Sequence, residues 1–253
     1  MPEQLIPIAN KPVLEHVVEG IRDLGVRVSY IPQDEPRGPA HCVSIARTFL
    51  GDDDFVMYLG DNTLPDGVHD LAAEFRAARP AAQVVVHKVA DPRAFGVAEL
   101  DTDGTVLRLV EKPDEPRSDL ALVGVYFFTP AVRRAVASIE PSARGELELT
   151  DSVQWLLTEG HRVDAREYRG YWKDTGRAED VLDCNRYLLR DLEPGILGSV
   201  DAANDVGSQV RVEAGAKVGA SRIEGPATVD IGDRTSTSHR LVVGDHTRIE
   251  VAA

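Results

Sequence analysis

Phe55-Val56-Met57-Tyr58-Leu59-Gly60-Asp61-Asn62 is the stretch whose reading decides the fold. Its continuous apolar run lacks the 3–4 spacing of an amphipathic helix and reads as a strand covered on both faces. The run stops on Gly-Asp-Asn, a combination that favours a turn. In open sheets ligands sit beyond the carboxyl ends of strands, so Asp61 stands where a ligand or metal binds. A simple strand-end turn explains the same residues, and both readings stay open at this point.

Outward from that strand the pattern alternates. Further strands are expected at 26–31, 83–89, 97–100, 105–110 and 121–128, and helices at 12–24, 39–50, 68–78, 130–137, 149–159 and 177–190. Asp103-Gly104 is a hairpin turn signal between two of the strands. In the last helix Ala178, Val181, Leu182, Asn185, Leu188 and Leu189 share one face. Alternating strands and helices imply an α/β fold, an open and mostly parallel Rossmann-like sheet with helices on both faces.

The character changes after Glu193-Pro194-Gly195. Val200, Val206, Val212 and Val218 recur every six residues, and Ile231, Val243 and Ile249 continue in a second phase with Thr237 in the missing slot. An aliphatic residue followed by Gly every six positions marks a parallel β-helix, each hexapeptide forming one side of a coil. The alternative, a Gly-rich disordered tail, does not require so strict a period. About three coils are near the minimum for a stable repeat, so the last coil is expected to be capped by a partner in a homo-oligomer. The domains expected are 1–192, an α/β domain, and 196–253, a hexapeptide β-helix.

Composition narrows the function. The chain has 253 residues, 43% hydrophobic and 28% charged, which suits a globular protein with a sizeable core. Asp and Glu outnumber Lys and Arg by 42 to 28, for a formal net charge of −14. That balance argues against nucleic acid as a partner, because such binding needs many cations facing phosphates. An anionic substrate then needs a local Lys or Mg²⁺. Two cysteines, Cys42 and Cys184, in no ligand-like spacing exclude a disulfide scaffold and a zinc ribbon. The start lacks signal-peptide features, and the apolar run at 121–128 is too short to span a bilayer, so a cytoplasmic protein without membrane contact is expected.

Four further segments can carry chemistry. Trp172-Lys173-Asp174-Thr175-Gly176 precedes the last helix, and Asp174 reads either as its cap or as a second carboxylate for Mg²⁺. Glu111-Lys112-Pro113 ends a strand; its Lys suits a phosphate and its Glu sugar hydroxyls, although an exposed turn has the same composition. Gln33-Asp34-Glu35-Pro36-Arg37-Gly38-Pro39-Ala40 links a strand to a helix. Its Gly permits close backbone approach and its Gln offers both donor and acceptor to a pyrimidine edge. No Ser, Cys or His nucleophile with a supporting triad is evident.

The ordered set of fragments is similar to the sugar-1-phosphate nucleotidylyltransferase family, in its thymidylyltransferase branch with a C-terminal left-handed β-helix. The fragments are Gln4 to Pro12, Gln33 to Ala40, Leu59 to Asn62, Phe95-Gly96-Val97, Glu111-Lys112-Pro113, Gly124-Val125-Tyr126, Glu146 to Asp151 and Trp172 to Gly176. The resemblance implies that Gln4 and Gln33 read the base and that Gly38 offers a backbone N–H nearby. It implies that Asp61 and Asp174 hold Mg²⁺ and that Gly96, Glu111 and Lys112 receive the sugar phosphate, with Asp61, Lys112 and Asp174 as the catalytic set. The implied reaction is attack of a sugar-1-phosphate, glucose-1-phosphate in this branch, on the α-phosphate of a nucleoside triphosphate, here dTTP, with release of pyrophosphate.

Three departures give a second reading. No counterpart of the family's GGxGTRLxP loop stands ahead of Gln4, Glu3 replaces a family Lys, and Leu24-Gly25-Val26 runs through where the family has another strand and helix. A reduced sheet and a relative that binds sugar nucleotide or a partner subunit without turnover would follow. A β-helix acyltransferase using His239 and His246 is a poorer third, because the repeat is short.

Overall fold

The computed structural model describes residues 7–8, 11–12, 14, 29–202, 205–218, 221–223, 227–231, 239–243 and 249–251. Most of the expected helix at 12–24 and residues 26–28 of the expected strand lie outside them, as do Glu3, Gln4, Thr237 and His246, while 29–31 are described and form no strand and Pro12 belongs to a strand. The chain forms two compact units, Gly25–Trp172 and Met1–Leu24 with Lys173–Ala253. The expected boundary at 192–196 falls inside the latter.

The second of these units opens with β1 (Pro7–Ile8) and β2 (Lys11–Pro12), an antiparallel pair. The first then runs α1 (Pro39–Ile45), α2 (Arg47–Leu50), β3 (Phe55–Tyr58), β4 (Asn62–Thr63), α3 (His69–Ala78) and β5 (Ala82–Lys88). It continues with β6 (Gly96–Leu100), β7 (Val106–Glu111), β8 (Leu120–Phe128), α4 (Val132–Ser138), α5 (Leu149–Thr158) and β9 (Val163–Glu167).

Strand β8 is the axis of the sheet. One edge pairs antiparallel with β5; the other pairs antiparallel with β3 and, at Val97 and Ala121, with β6. Its side chains alternate between two cores, as a pleated strand requires. Leu122, Tyr126 and Phe128 pack under α1, α4 and α5 with Val43, Val136, Leu149, Val153 and Leu156. Ala121, Val123, Val125 and Phe127 face the other way, under α3 with Leu71 and Phe75. Both faces are covered, which is why 121–128 reads as one apolar run. Phe127 and Phe128 are fully buried, each worth roughly 1.5–3 kcal/mol in burial alone.

The expectation of a mostly parallel sheet is corrected. Strands β3 and β5 each run antiparallel to β8 and so parallel to one another, and β9 is parallel to β5. The β–helix–β alternation places those three strands. Strand β8 is inserted between β3 and β5 in the opposite sense, and β6 pairs antiparallel with β7. The reason lies in the connections: the hairpin turn at Asp103-Gly104, where Gly104 N–H donates to Asp101 O at 2.9 Å, has no helix to return the chain for parallel pairing. The sheet is therefore mixed. Val56 is also 45% exposed, so β3 is not covered on both faces; β8 is its sole strand partner among the described residues. Strand β9 was not anticipated. Its Asp164 and Arg166 are engaged in ion pairs with Arg162 and Glu74, and that charged edge hides its alternation.

The other unit resumes with β10 (Lys173–Asp174) and α6 (Ala178–Leu189). Helix α6 buries Cys184, Asn185 and Leu189, while Leu182 is 50% exposed, so its apolar face is rotated from the expected one. Short strands follow: β11 (Gly195–Ile196), β12 (Ser199–Val200), β13 (Asp205–Val206), β14 (Val210–Val212), β15 (Lys217–Val218), β16 (Ser221–Ile223) and β17 (Ala227–Ile231). Pairs β11–β14, β12–β15, β13–β16 and β14–β17 are all parallel. Val210, Val212, Ala216, Val218 and Ile223 form a small core, with Val200 and Val206 packed against it. Among the described residues the last two strands do not extend the parallel stacking. Strands β18 (His239–Val243) and β19 (Ile249–Val251) pair antiparallel with β17 and β16. Among the described residues no helix is long and apolar enough to cross a membrane.

Candidate active site

The β6–β7 hairpin builds one side of the site. Its register sets Gly96 directly opposite Glu111, and the Lys112 N–H donates to Phe95 O at 3.1 Å. Three residues assigned together by resemblance thus meet across two strands. Lys112 adopts φ 40°, a left-handed conformation that costs a non-Gly residue about 1–2 kcal/mol, and it ends the strand ahead of Pro113. Its side chain is exposed and has no ion-pair partner among the described residues.

Helix α5 and the segment before it supply the opposite wall. The Thr150 hydroxyl donates to Glu111 Oε2 at 2.5 Å, and Arg144 Nη1 lies 3.7 Å from Glu111 Oε1. Arg144 also donates to Glu146 Oε2 at 2.5 Å and approaches Glu148 Oε1 at 3.6 Å. The hydrogen bond to Glu146 raises the Arg144 pKa. Glu148 is buried and accepts from Ser142 Oγ at 2.9 Å. Burial raises its pKa, against the lowering effect of that hydroxyl, and Glu111 adds to the rise. Burial and Glu111 likewise raise Asp151. Tyr126 projects from β8 into the group. Burial above all, then the negative charges of Glu111, Glu148 and Asp61, hold its phenol protonated far above the ordinary range. The wall is thus rich in acceptors for hydroxyl groups; Arg144 is paired with its carboxylates, and the exposed Lys112 stands beside it.

Asp61 lies just past β3, as expected. Its Oδ1 accepts from Asn62 Nδ2 at 2.8 Å. Asn62 Oδ1 in turn accepts from the Gly124 N–H at 3.2 Å and from Trp172 Nε1 at 2.7 Å. A Cβ on Gly124 would lie on the Asn62 carboxamide, so only Gly admits this close approach. Leu59 N–H donates to Gly124 O at 2.7 Å and closes the junction.

The loop before α1 is stitched to the α5 wall. Leu147 N–H donates to Arg37 O at 2.8 Å, and Ala40 N–H to Leu147 O at 3.0 Å. Gly38 between them has φ 89°, and an added Cβ would stand 2.8 Å from both Leu147 N and Leu147 O. Exposed Gln33 reaches Gly38 O at 3.4 Å and His41 Nδ1 at 3.0 Å. Gln4 lies outside the described residues.

Asp174 belongs to the other unit, in β10. Its Oδ1 accepts from the Gly176 N–H at 2.9 Å, and α6 starts from Arg177 without a side-chain cap. The reading of Asp174 as a helix cap is therefore corrected. Among the described residues no group of three or more His, Cys, Asp or Glu is arranged to hold a metal ion.

Sequence reasoning gave no role to Asn62, Tyr126, Arg144, Glu148, Thr150 or Trp172. All but Arg144 sat inside a quoted fragment, and for those the available signal was that a buried polar residue needs a partner; which partner was not legible, and Arg144, exposed and outside every fragment, offered no such signal.

A model of the nucleotidyl transferase family matches residues 2–191. The chain is 49% identical over 263 aligned residues to a glucose-1-phosphate thymidylyltransferase of Streptomyces griseus, covering 94% of this chain and 74% of that one. It is 48% identical over 277 aligned residues to the enzyme of the same name from Streptomyces antibioticus, covering 98% and 78%. A crystal structure from Bacillus anthracis assigned to glucose-1-phosphate thymidylyltransferase, with a bound sucrose, matches with TM-score 0.68 at 30% identity. That match covers 76% of this chain and 88% of that one.

Proposed function

The chain belongs to the nucleotidyl transferase family, and from that premise we propose that it joins dTTP and glucose-1-phosphate with release of pyrophosphate. Transfer of a nucleotidyl group to a sugar-1-phosphate follows from its relatives; the base and the sugar are our reading of their names. The observation that carries the site assignment is the junction of Gly96, Glu111 and Lys112 on one hairpin, with Asp61 and Glu111 both acting on the buried Tyr126.

In this reading a phosphate oxygen of the sugar-1-phosphate attacks the α-phosphorus of the nucleotide in line, a new P–O bond forms, and the bond to pyrophosphate breaks. Little covalent chemistry is asked of the protein, and positioning with charge neutralisation supplies the rate. The Lys112 ammonium takes the sugar phosphate. Glu111, its carboxylate steadied by Thr150, accepts from sugar hydroxyls, and Gly96 lets Leu122, Glu111 and Thr150 close in where a Cβ would stand 2.8 Å from Leu122 Cδ1. Gln33 reads the base beside the Gly38 backbone, and Gln4 is assigned the same task by resemblance.

Asp61 fits a hard cation, because a carboxylate oxygen beyond a strand's carboxyl end is a ligand Mg²⁺ accepts. Asp61, with Asp174 assigned by resemblance, would hold Mg²⁺, which supplies charge neutralisation for phosphate oxygens. We read 1–192 as the transferase domain. The parallel rungs from Gly195 onward are read as the start of a left-handed β-helix through which copies associate in the cytoplasm. The alternative of a non-catalytic relative has no support in the comparisons.

The test is pyrophosphate release by the purified chain with Mg²⁺, dTTP and glucose-1-phosphate, set against UTP and other sugar phosphates. Preference for the first pair is expected. No release with any pair would remove the catalytic reading.

A further inference from the structure

We infer that Asn62 is a positioning residue that sets the direction of the Asp61 carboxylate, and that the Trp172 indole N–H locks it in place. The inference rests on the reading of Asp61 as a metal ligand and adds residues to it. Asn62 is 1% exposed, so its carboxamide has protein partners rather than water. Its oxygen accepts two N–H groups, from Gly124 at 3.2 Å and Trp172 at 2.7 Å. That fixes the amide's orientation, because the flipped carboxamide would set its NH₂ against two donors. With the oxygen held, the NH₂ faces Asp61 and donates to Oδ1 at 2.8 Å. The carboxylate plane is then turned by a group that cannot itself turn.

The lock is as well held as the group it locks. Trp172 is 6% exposed, with His87 and Phe95 rings at centroid distances of 5.5 and 5.3 Å. His87 Nδ1 lies 2.8 Å from Tyr168 O, which anchors that ring in turn. Three segments far apart in sequence, at 59–62, at 124 and at 172, are joined through one carboxamide. A partner that orients a ligand from behind contributes heavily to metal affinity without touching the ion.

The experiment uses the full chain and Mn²⁺ alone, its binding followed by electron paramagnetic resonance. Trp172→Phe keeps an aromatic ring and deletes the N–H, Asn62→Leu keeps the size and deletes the amide, and Asp61→Asn is the reference. Asp61→Asn should abolish the site, and the other two should weaken Mn²⁺ about 10–100-fold, the range seen when partners behind metal ligands are removed. Thermal melting is recorded beside each titration, and if Asn62→Leu does not fold, Trp172→Phe decides. Affinity unchanged in folded variants, with or without a lower melting temperature, while Asp61→Asn loses the ion, overturns the positioning role. Unchanged affinity in Asp61→Asn instead overturns the metal reading on which it stands.

Discussion

Thr150→Val tests whether Glu111 is held in place by a hydroxyl rather than by its ion pair. The substitution keeps shape and volume at a buried position and deletes only the O–H that donates to Glu111 Oε2 at 2.5 Å. A hydrogen bond to a charged group contributes roughly 1.5–3 kcal/mol. Glu111 is 23% exposed and keeps Arg144 at 3.7 Å, so water recovers part of the loss. A destabilisation of about 1–2 kcal/mol is expected after that discount. Urea unfolding should show it as a lower midpoint at unchanged slope, because the surface exposed on unfolding is the same. A double-mutant cycle with Glu111→Gln should return a coupling of about 1 kcal/mol, and Thr150→Ser should restore most of the stability. In turnover, Thr150→Val should raise KM for the sugar phosphate more than it lowers kcat, since it loosens a residue assigned to ground-state binding. An unchanged midpoint, or a coupling near zero, would show that the hydroxyl does not hold Glu111.

Three further outcomes are expected. Gly38→Ala should destabilise the unit by at least about 2 kcal/mol, because φ 89° is strained for a side chain and the new Cβ meets the Leu147 backbone; wild-type stability in urea would refute this. Lys112→Ala should weaken sugar-phosphate binding in calorimetry by about 1.5–2 kcal/mol, the lower part of the charge-assisted range because the residue is exposed; equal affinity removes Lys112 from the site. Glu148 has a raised folded pKa, so its contribution to stability is full below the unfolded value and is lost as pH rises through the folded one. Glu148→Gln should therefore gain stability over wild type as pH rises from acid to neutral, and parallel melting curves at all pH values would contradict it.

The elements of the site were legible to different depths. The hairpin carrying Gly96, Glu111 and Lys112 was visible, because Asp103-Gly104 turn chemistry is local and two alternating strands flank it. The placement of Asp61 past β3 was visible for the same reason. The role of Trp172 was not, because an indole N–H declares no partner until the fold brings Asn62 beneath it. Thr150 read as an ordinary first-turn helix residue, and only the packing of α5 against β7 turned its hydroxyl to Glu111.

Period and turn chemistry act over a few residues, and so the sequence by itself determined the helices, the apolar strands, the hairpin and the six-residue valine spacing. It also carried the ordered fragments that marked the family. Strand order and direction depend on which edges meet, a choice made by burying the most apolar surface from distant segments. Hence only the tertiary structure set β8 antiparallel between β3 and β5, turned Leu182 outward on α6, and returned β18 and β19 against the parallel rungs. The junction of Asn62 with Gly124 and Trp172 was decided in the same way: buried polar groups must find partners, and the partner is whichever the packed fold brings within reach.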